Sequence, residues 1–230
     1  MLKQTAKTAF LHTIPVMTGY LFLGFGFGFG IILQQNGYGV LWALAMSLFI
    51  YAGSMQYVGV GLLTGGVSLL TAAVTTLMVN ARHLFYGISM VDAYKGTGKR
   101  KPYLIFALTD ETFSLVSQGA PEKVDRVGYY FLVSLLNQCY WVVGSMLGSL
   151  AGKLPVDFTG IDFALTALFI TIFVEQWLTT RNHFPALVGV LSAGACLIVF
   201  GADGFLIPTM AIIAAILILC RKTGKEEEHA

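Results

Sequence analysis

Long apolar stretches separated by short polar segments dominate this sequence. The polar interruptions fall at 34–39, 64–66, 92–102, 119–126, 152–160, 179–185 and 201–204. The apolar stretches between them cover 10–33, 40–63, 67–91, 103–118, 128–151, 161–178, 185–200 and 205–220. Because a helix needs about 20 apolar residues to cross the hydrocarbon core of a bilayer, this pattern predicts an all-α, polytopic transmembrane bundle of seven to eight helices. We expect a single membrane domain over 1–230, with 221–230 as a solvated tail.

Composition supports a membrane protein and excludes several other classes. Hydrophobic residues make up 56% of the chain, charged residues only 11%, and the mean hydropathy is +0.75. Soluble domains usually carry about 25% charged residues. The net charge of +2 comes with no basic stripe, so we predict no nucleic-acid partner. The three cysteines lie in apolar stretches without metal-ligand spacing, and there is no phosphate-binding loop or paired-histidine motif. We therefore predict no cofactor and no metal site.

The number of crossings depends on the short stretch 103–118. The basic residues between Lys95 and Lys101, and those after 220, should both be cytoplasmic, which eight uninterrupted crossings cannot achieve. A re-entrant 103–118 would satisfy both, but it would leave Lys3 and Lys7 outside, against the same rule. An internal repeat is also predicted, since Tyr20, Gly24 and Gly28 recur 120 residues later as Tyr140, Gly144 and Gly148. A re-entrant segment would make the two halves inverted, and eight crossings would make them parallel.

Four charged residues lie inside apolar stretches: Arg82, Asp110, Glu111 and Glu175. A charge near the bilayer centre costs about 2.5 to 3.5 kcal/mol unless it is paired or hydrated. Arg82 belongs to the cluster Asn80, Arg82 and His83, which we expect to face protein or a water-filled cavity. The alternative is that the helix ends near Val79 and the arginine reaches the headgroups. Glu175, beside Trp177, is interpreted as a headgroup-level residue.

The acids at 110 and 111 follow Thr109, in the pattern of a helix N-terminus. Adjacent residues on a helix point about 100° apart, so both acids can face one cavity only if the backbone is interrupted there. We therefore predict a broken helix with Thr109 as its N-cap. An ion pair between Arg82 and one of the acids that only holds helices together is the simpler alternative, and the two interpretations are compatible.

Two further stretches combine small and polar residues. Gly24, Gly26, Gly28 and Gly30 permit either close helix packing or an unwound, substrate-lining segment, with packing favoured. Ser54 and Gln56 suit either a pore wall or interhelical hydrogen bonds.

Four motifs in order resemble the AzlC family of branched-chain amino-acid permeases. They are FIYAGSMQ at 49–56, VNARHLFYG at 79–87, LTDETF at 108–113 and DFALTALFI at 162–170. The resemblance covers residues 8–218. It implies a multi-pass protein of the bacterial inner (plasma) membrane that exports leucine, isoleucine, valine or related compounds, with a small hydrophobic AzlD-type partner subunit. Substrate- or ion-binding residues carried over by the motifs are Ser54, Gln56, Asn80, Arg82, His83, Thr109, Asp110 and Glu111.

The function predicted is alternating-access export driven by an ion gradient, with 1–230 as one transport domain. A passive channel is the nearer alternative. A membrane-embedded enzyme using His83 with Asp110 or Glu111 is the other, although the sequence shows no complete catalytic constellation.

Overall fold

The computed structural model describes residues 2–22, 24–158, 160–161, 163–179 and 182–227, which form helices and no strands. The chain divides into two compact units, 1–168 and 169–230. The helices are α1 Leu2–Leu21, α2 Phe25–Gln35, α3 Val40–Phe49, α4 Gly53–Thr64, α5 Leu69–Ser89, α6 Lys101–Phe106, α7 Asp110–Val116, α8 Arg126–Ala151, α9 Phe163–Thr179, α10 Phe184–Gly204 and α11 Leu206–Glu227, with a short 3-10 helix at Gly98–Arg100.

Each predicted apolar stretch contains helix, and three of the eight are interrupted. The first divides at Gly24, whose φ of 91° is left-handed. The second divides at 50–52, between α3 and α4, and the fourth at 107–109, between α6 and α7. With 6 and 7 residues, α6 and α7 are each about 10 Å long, far short of a bilayer core of about 30 Å. The broken helix predicted at Thr109 is thus confirmed, while the number of crossings stays a prediction.

The third stretch forms the continuous helix α5. Its 21 residues run through the polar cluster to Ser89, so the alternative that this helix ends near Val79 is wrong. The glycine-rich stretch is also helical from Phe25 onward, which disagrees with an unwound segment there. At the C-terminus, α11 continues to Glu227 and therefore extends through most of the predicted tail.

The outer surface is strongly apolar. Leu69 is 90% exposed and Ile198 is 86% exposed, among many large hydrophobic side chains that lie on the outside. Three stretches of the described chain are long and apolar enough to cross a bilayer, namely Lys3–Gln35, Arg126–Ala151 and Phe184–Gly201. Exposure of so much apolar surface to water would be unfavourable, whereas contact with lipid explains it.

In the first unit, α8 is the central helix. It packs most extensively on α2 and α1, then on α3, with smaller contacts to α6 and α7. Glycines make the α2–α8 contact possible, because a Cβ on Gly30 would collide with the Ser145 carbonyl and a Cβ on Gly148 with the Phe27 carbonyl. Close packing, the favoured interpretation of the glycine run, is confirmed at these positions. Although Gly148 belongs to the proposed repeat, the repeat itself stays a prediction.

In the second unit, α10 packs on α11. Gly201, with φ 72°, produces a kink within α10. The side chain of Glu175 lies outside the described residues.

Candidate substrate-binding site

An ion pair within the apolar bundle joins α5 to α7. The Arg82 Nη1 atom lies 2.8 Å from Asp110 Oδ2. Arg82 lies on the fourth turn of α5, about 20 Å along a continuous apolar helix, and the two side chains are only 24% and 18% exposed. The cluster therefore faces protein, as the sequence predicted, and Asp110 is the acid that pairs with the arginine.

Two uncharged groups complete this ion pair. Arg82 Nη2 donates a hydrogen bond of 2.5 Å to Ser54 Oγ on α4. The Tyr86 hydroxyl donates to Asp110 Oδ1 at 2.6 Å, and Tyr86 stacks on Phe113 with ring centroids 4.5 Å apart. Hydrogen bonds to ionised groups are the strong ones. The Arg82 Nε atom is buried and has no hydrogen-bond partner among the described residues.

The interruption at 107–109 turns both acids toward the same space. Thr109 has extended backbone angles, and its side chain accepts from the Thr112 amide, as an N-cap does. Asp110 and Glu111 follow in the first turn of α7. The Glu111 carboxyl lies beside the Tyr20 hydroxyl, and both acids line one cavity.

That cavity is small. It measures about 10 Å³, roughly the space that one water molecule needs. Six of the predicted residues line it: Ser54, Arg82, His83, Thr109, Asp110 and Glu111. Five residues that were not among the predicted site residues also line it: Tyr20, Tyr51, Ala52, Gly53 and Trp141.

The interruption at 50–52 brings the start of α4 to this cavity. Tyr51 has a φ of 43°, a left-handed conformation that costs a non-glycine residue about 1 to 3 kcal/mol. Its ring is 2% exposed, and its hydroxyl has no hydrogen-bond partner among the described residues. The first amide groups of α4 have no intrahelical acceptors. This wall of the cavity therefore combines amide hydrogen-bond donors with a residue whose backbone is strained.

Two predicted residues lie outside the cavity lining. Gln56 is fully buried, accepts from the Trp141 indole N–H at 2.9 Å and donates to Ser47 Oγ at 3.2 Å. It therefore makes interhelical hydrogen bonds, one of the two roles predicted for it. The backbone carbonyl oxygen of Asn80 lies 3.2 Å from His83 Nδ1, and the side-chain Oδ1 of Asn80 has no hydrogen-bond partner among the described residues.

Among the missed residues, Tyr86 had a readable signal, because it lies four positions after Arg82 and therefore on the same helix face. Tyr20 and Trp141 had none, since aromatic residues are common throughout this chain.

A larger depression of about 420 Å³ lies in the second unit. Its described lining is mostly apolar, includes Trp177, His183 and Val190, and contains neither a carboxylate nor a guanidinium group. It therefore lacks the paired charges that a zwitterion requires.

Comparison with known proteins decides the family. The family model described as "AzlC protein" matches residues 15–154, more than half of the chain. The chain belongs to the AzlC family. It is 44% identical over 224 residues to the branched-chain amino acid transport protein AzlC of Bacillus subtilis (strain 168), covering 96% of this chain and 87% of that protein. The resemblance to this family that the four motifs indicated is confirmed.

Other relatives of the chain carry less specific names. An uncharacterized membrane protein of Helicobacter pylori (strain J99 / ATCC 700824) is 45% identical over 218 residues, covering 94% of this chain and 95% of that protein. The inner membrane protein YgaZ of Escherichia coli (strain K12) is 29% identical over 219 residues, covering 90% and 85%. No solved structure matches the chain. The apolar helices and these relatives confirm a multi-pass protein of the bacterial membrane.

Proposed function

We propose that this chain is the substrate-translocating subunit of an exporter for branched-chain or related hydrophobic amino acids, driven by an ion gradient through alternating access. The observation that carries this proposal is the Arg82–Asp110 pair beside Glu111 in a small cavity among apolar helices. The name of the Bacillus subtilis relative supports the substrate class. A small AzlD-type membrane subunit, which the resemblance of the four motifs implied, is the proposed partner.

An amino-acid zwitterion can replace the contacts of this ion pair. Its carboxylate would bind Arg82, assisted by Ser54 and by the free amides at the start of α4. Its ammonium group would bind Asp110. The substrate carboxylate would take the place of Asp110 beside Arg82, and the substrate ammonium would take the place of Arg82 beside Asp110. Because every ion keeps a partner of opposite charge, the pair and the substrate together stay neutral, and the desolvation cost of an unpaired ion is avoided. A substrate without both charges would break the pair and leave one ion uncompensated.

The size of the cavity supports alternating access instead of a permanent pore. An apolar cavity that holds benzene measures about 150 Å³, whereas this one measures about 10 Å³. A branched-chain amino acid fits only after helices separate, and the interrupted helices beside the cavity are the elements that can hinge.

Glu111 is the group we assign to the coupling ion. Asp110 already has Arg82 as its counter-ion, whereas the described surroundings of Glu111 contain the Tyr20 and Tyr51 hydroxyls and Thr109 but no paired cation. A carboxyl group in such a position can accept and release a proton as the cavity opens to either side.

The enzyme alternative has less support. His83 Nδ1 contacts the Asn80 backbone carbonyl on its own helix, and within the part of the chain that the structure describes His83 makes no hydrogen bond to either acid. The residues described around it include no nucleophile-and-base pair of the kind that acid–base chemistry needs.

The test is counterflow in proteoliposomes that contain the purified chain with and without a coexpressed AzlD-type subunit. Vesicles loaded with unlabelled leucine should accumulate labelled leucine transiently and saturably, as a carrier does and a channel does not. Arg82→Gln should abolish this signal, and Arg126→Gln, at an exposed arginine that donates to the Lys95 carbonyl, is the matched control. If wild-type vesicles gave linear, unsaturable flux, the carrier mechanism would be wrong. If Arg82→Gln kept normal counterflow, the site assignment would be wrong.

A further inference from the structure

The cavity lining includes charged groups and carbon surface. The charged groups are Arg82, Asp110 and Glu111, and the Trp141 indole and Gly53 form a carbon wall in the same lining. Since the proposed charged contacts take the carboxylate and ammonium of an amino acid, the remaining lining is left for its side chain. This inference rests on the proposed function.

Trp141 is held rigidly in that wall. Its side chain is 2% exposed. Its ring meets Tyr20 edge to face, with centroids 4.9 Å apart, and stacks on Phe29 at 6.2 Å. The indole N–H, the only polar atom of the side chain, donates to Gln56 Oε1 at 2.9 Å, and Gln56 is fixed in turn by Ser47. The ring therefore offers only carbon atoms to the cavity and has little freedom to withdraw.

Gly53 lies against the far edge of this ring. A Cβ atom at position 53 would be 2.9 Å from Trp141 Cη2 and 3.4 Å from Cζ2 and Cζ3. Carbon atoms pack without repulsion at about 3.5 to 4.0 Å, so even one methyl group at this position would need the indole to move. Because φ at Gly53 is not left-handed, the position excludes larger residues by space and not by backbone conformation.

From these contacts we infer that Trp141 and Gly53 together set the size of substrate side chain that the transporter accepts. The indole limits the apolar room of the cavity, and the missing side chain at 53 leaves the space that the edge of the indole occupies. Gln56 is a positioning residue in this arrangement, since it contacts the indole and does not line the cavity.

The experiment measures relative kcat/KM for labelled alanine, valine, isoleucine and phenylalanine in counterflow. Trp141→Phe replaces the indole by a smaller ring and so enlarges the space left for a substrate side chain. One methylene group in an apolar pocket changes discrimination about 10- to 200-fold, so the phenylalanine-to-valine ratio should rise at least about 10-fold. Gly53→Ala displaces the indole and thereby reduces the space left for a substrate side chain. The isoleucine-to-alanine ratio should therefore fall by about 10-fold or more.

The double variant and a matched glycine control make the result specific. Gly53→Ala combined with Trp141→Phe should bring the isoleucine-to-alanine ratio back to within about threefold of wild type, because the added methyl group takes space that the smaller ring releases. Gly61→Ala lies on the same helix with no atom within 4 Å of the added Cβ. It controls for the gain in helix propensity on replacing glycine and should leave every ratio unchanged.

The outcomes are distinguishable from failure of the proposed function. If wild type carries out leucine counterflow but Trp141→Phe leaves the ratios within twofold of wild type, the size assignment is overturned while the carrier function stands. If Trp141→Phe does not accumulate in the membrane, the comparison of Gly53→Ala with Gly61→Ala decides the question. A lower isoleucine-to-alanine ratio in Gly53→Ala alone supports the assignment, and equal ratios in the two variants overturn it. If wild type moves no amino acid, both conclusions fall.

Discussion

Replacing Asp110 by Asn tests what the ion pair between α5 and α7 contributes. The change removes the charge 2.8 Å from Arg82 and leaves that guanidinium group with Ser54 as its only other hydrogen-bonded partner among the described residues. Leaving one member of a buried pair uncompensated costs about 3 to 5 kcal/mol, and an unpaired charge near the bilayer centre costs about 2.5 to 3.5 kcal/mol. Since both side chains are partly exposed, at 24% and 18%, we expect a loss of about 3 kcal/mol in the free energy of unfolding.

A double variant distinguishes two roles of the ion pair, which are holding the helices together and taking part in transport. Asp110→Asn combined with Arg82→Gln has no charge left to compensate, so it should be more stable than either single variant, with a coupling energy of about 1 to 3 kcal/mol. It should nevertheless show no counterflow, because neither member of the pair remains to bind the charged groups of the substrate. Unfolding of purified protein in mixed micelles, followed by tryptophan fluorescence, gives the stabilities.

Two results would refute this reasoning in different ways. If Asp110→Asn lost less than about 1 kcal/mol and the two substitutions were additive, the pair would be as weak as an exposed salt bridge. If the double variant regained stability and also transported normally, the pair would only hold α5 against α7.

Three further substitutions have defined outcomes. Tyr86→Phe removes the 2.6 Å hydrogen bond to Asp110, worth about 1.5 to 3 kcal/mol for a charged acceptor, and should raise KM or lower kcat at least tenfold in counterflow. Glu111→Gln should keep leucine exchange but abolish accumulation driven by an imposed ion gradient; intact gradient-driven accumulation would remove Glu111 from coupling. Gly148→Ala should destabilise the protein by about 1 to 3 kcal/mol through overpacking against the Phe27 carbonyl, measured as a lower denaturation midpoint than that of Gly61→Ala, and equal midpoints would contradict the close contact.

The features that the sequence predicted correctly depend on local chemistry. Thr109 caps α7 because a threonine before two acids satisfies free amides whatever surrounds the helix, so the interruption could be read from the chain. The need of Arg82 for a partner was equally readable, because the cost of an unpaired charge in lipid does not depend on the fold.

The identity of that partner was not readable. Asp110 and Glu111 are adjacent, and only the placement of α7 beside α5 selects Asp110 for the ion pair. Trp141 illustrates the same limit more strongly, since its role depends on Gly53 of another helix. A single aromatic or glycine residue outside a glycine-rich run carries no signal of its own in a chain with 17 phenylalanines and 26 glycines. Size selection by such pairs therefore becomes visible only in three dimensions.

The cavity lies where interrupted and continuous helices meet, and this arrangement explains how one site can be both rigid and movable. Tyr20 lies in the last turn before the interruption at Gly24, Tyr51 lies within the second interruption, and Glu111 follows the third. Arg82 and Trp141 come from α5 and α8, which run without a break. A continuous helix moves as a unit and carries its side chain with it, whereas an interruption lets one half of a helix turn while the other half stays packed. In the proposed alternating-access cycle, Arg82 would hold the substrate carboxylate from a continuous helix, whereas Asp110 and Glu111, which would exchange partners during opening, directly follow an interruption. The strained φ of Tyr51 fits the same proposal, because backbone strain stored at a hinge raises the free energy of the conformation that holds it.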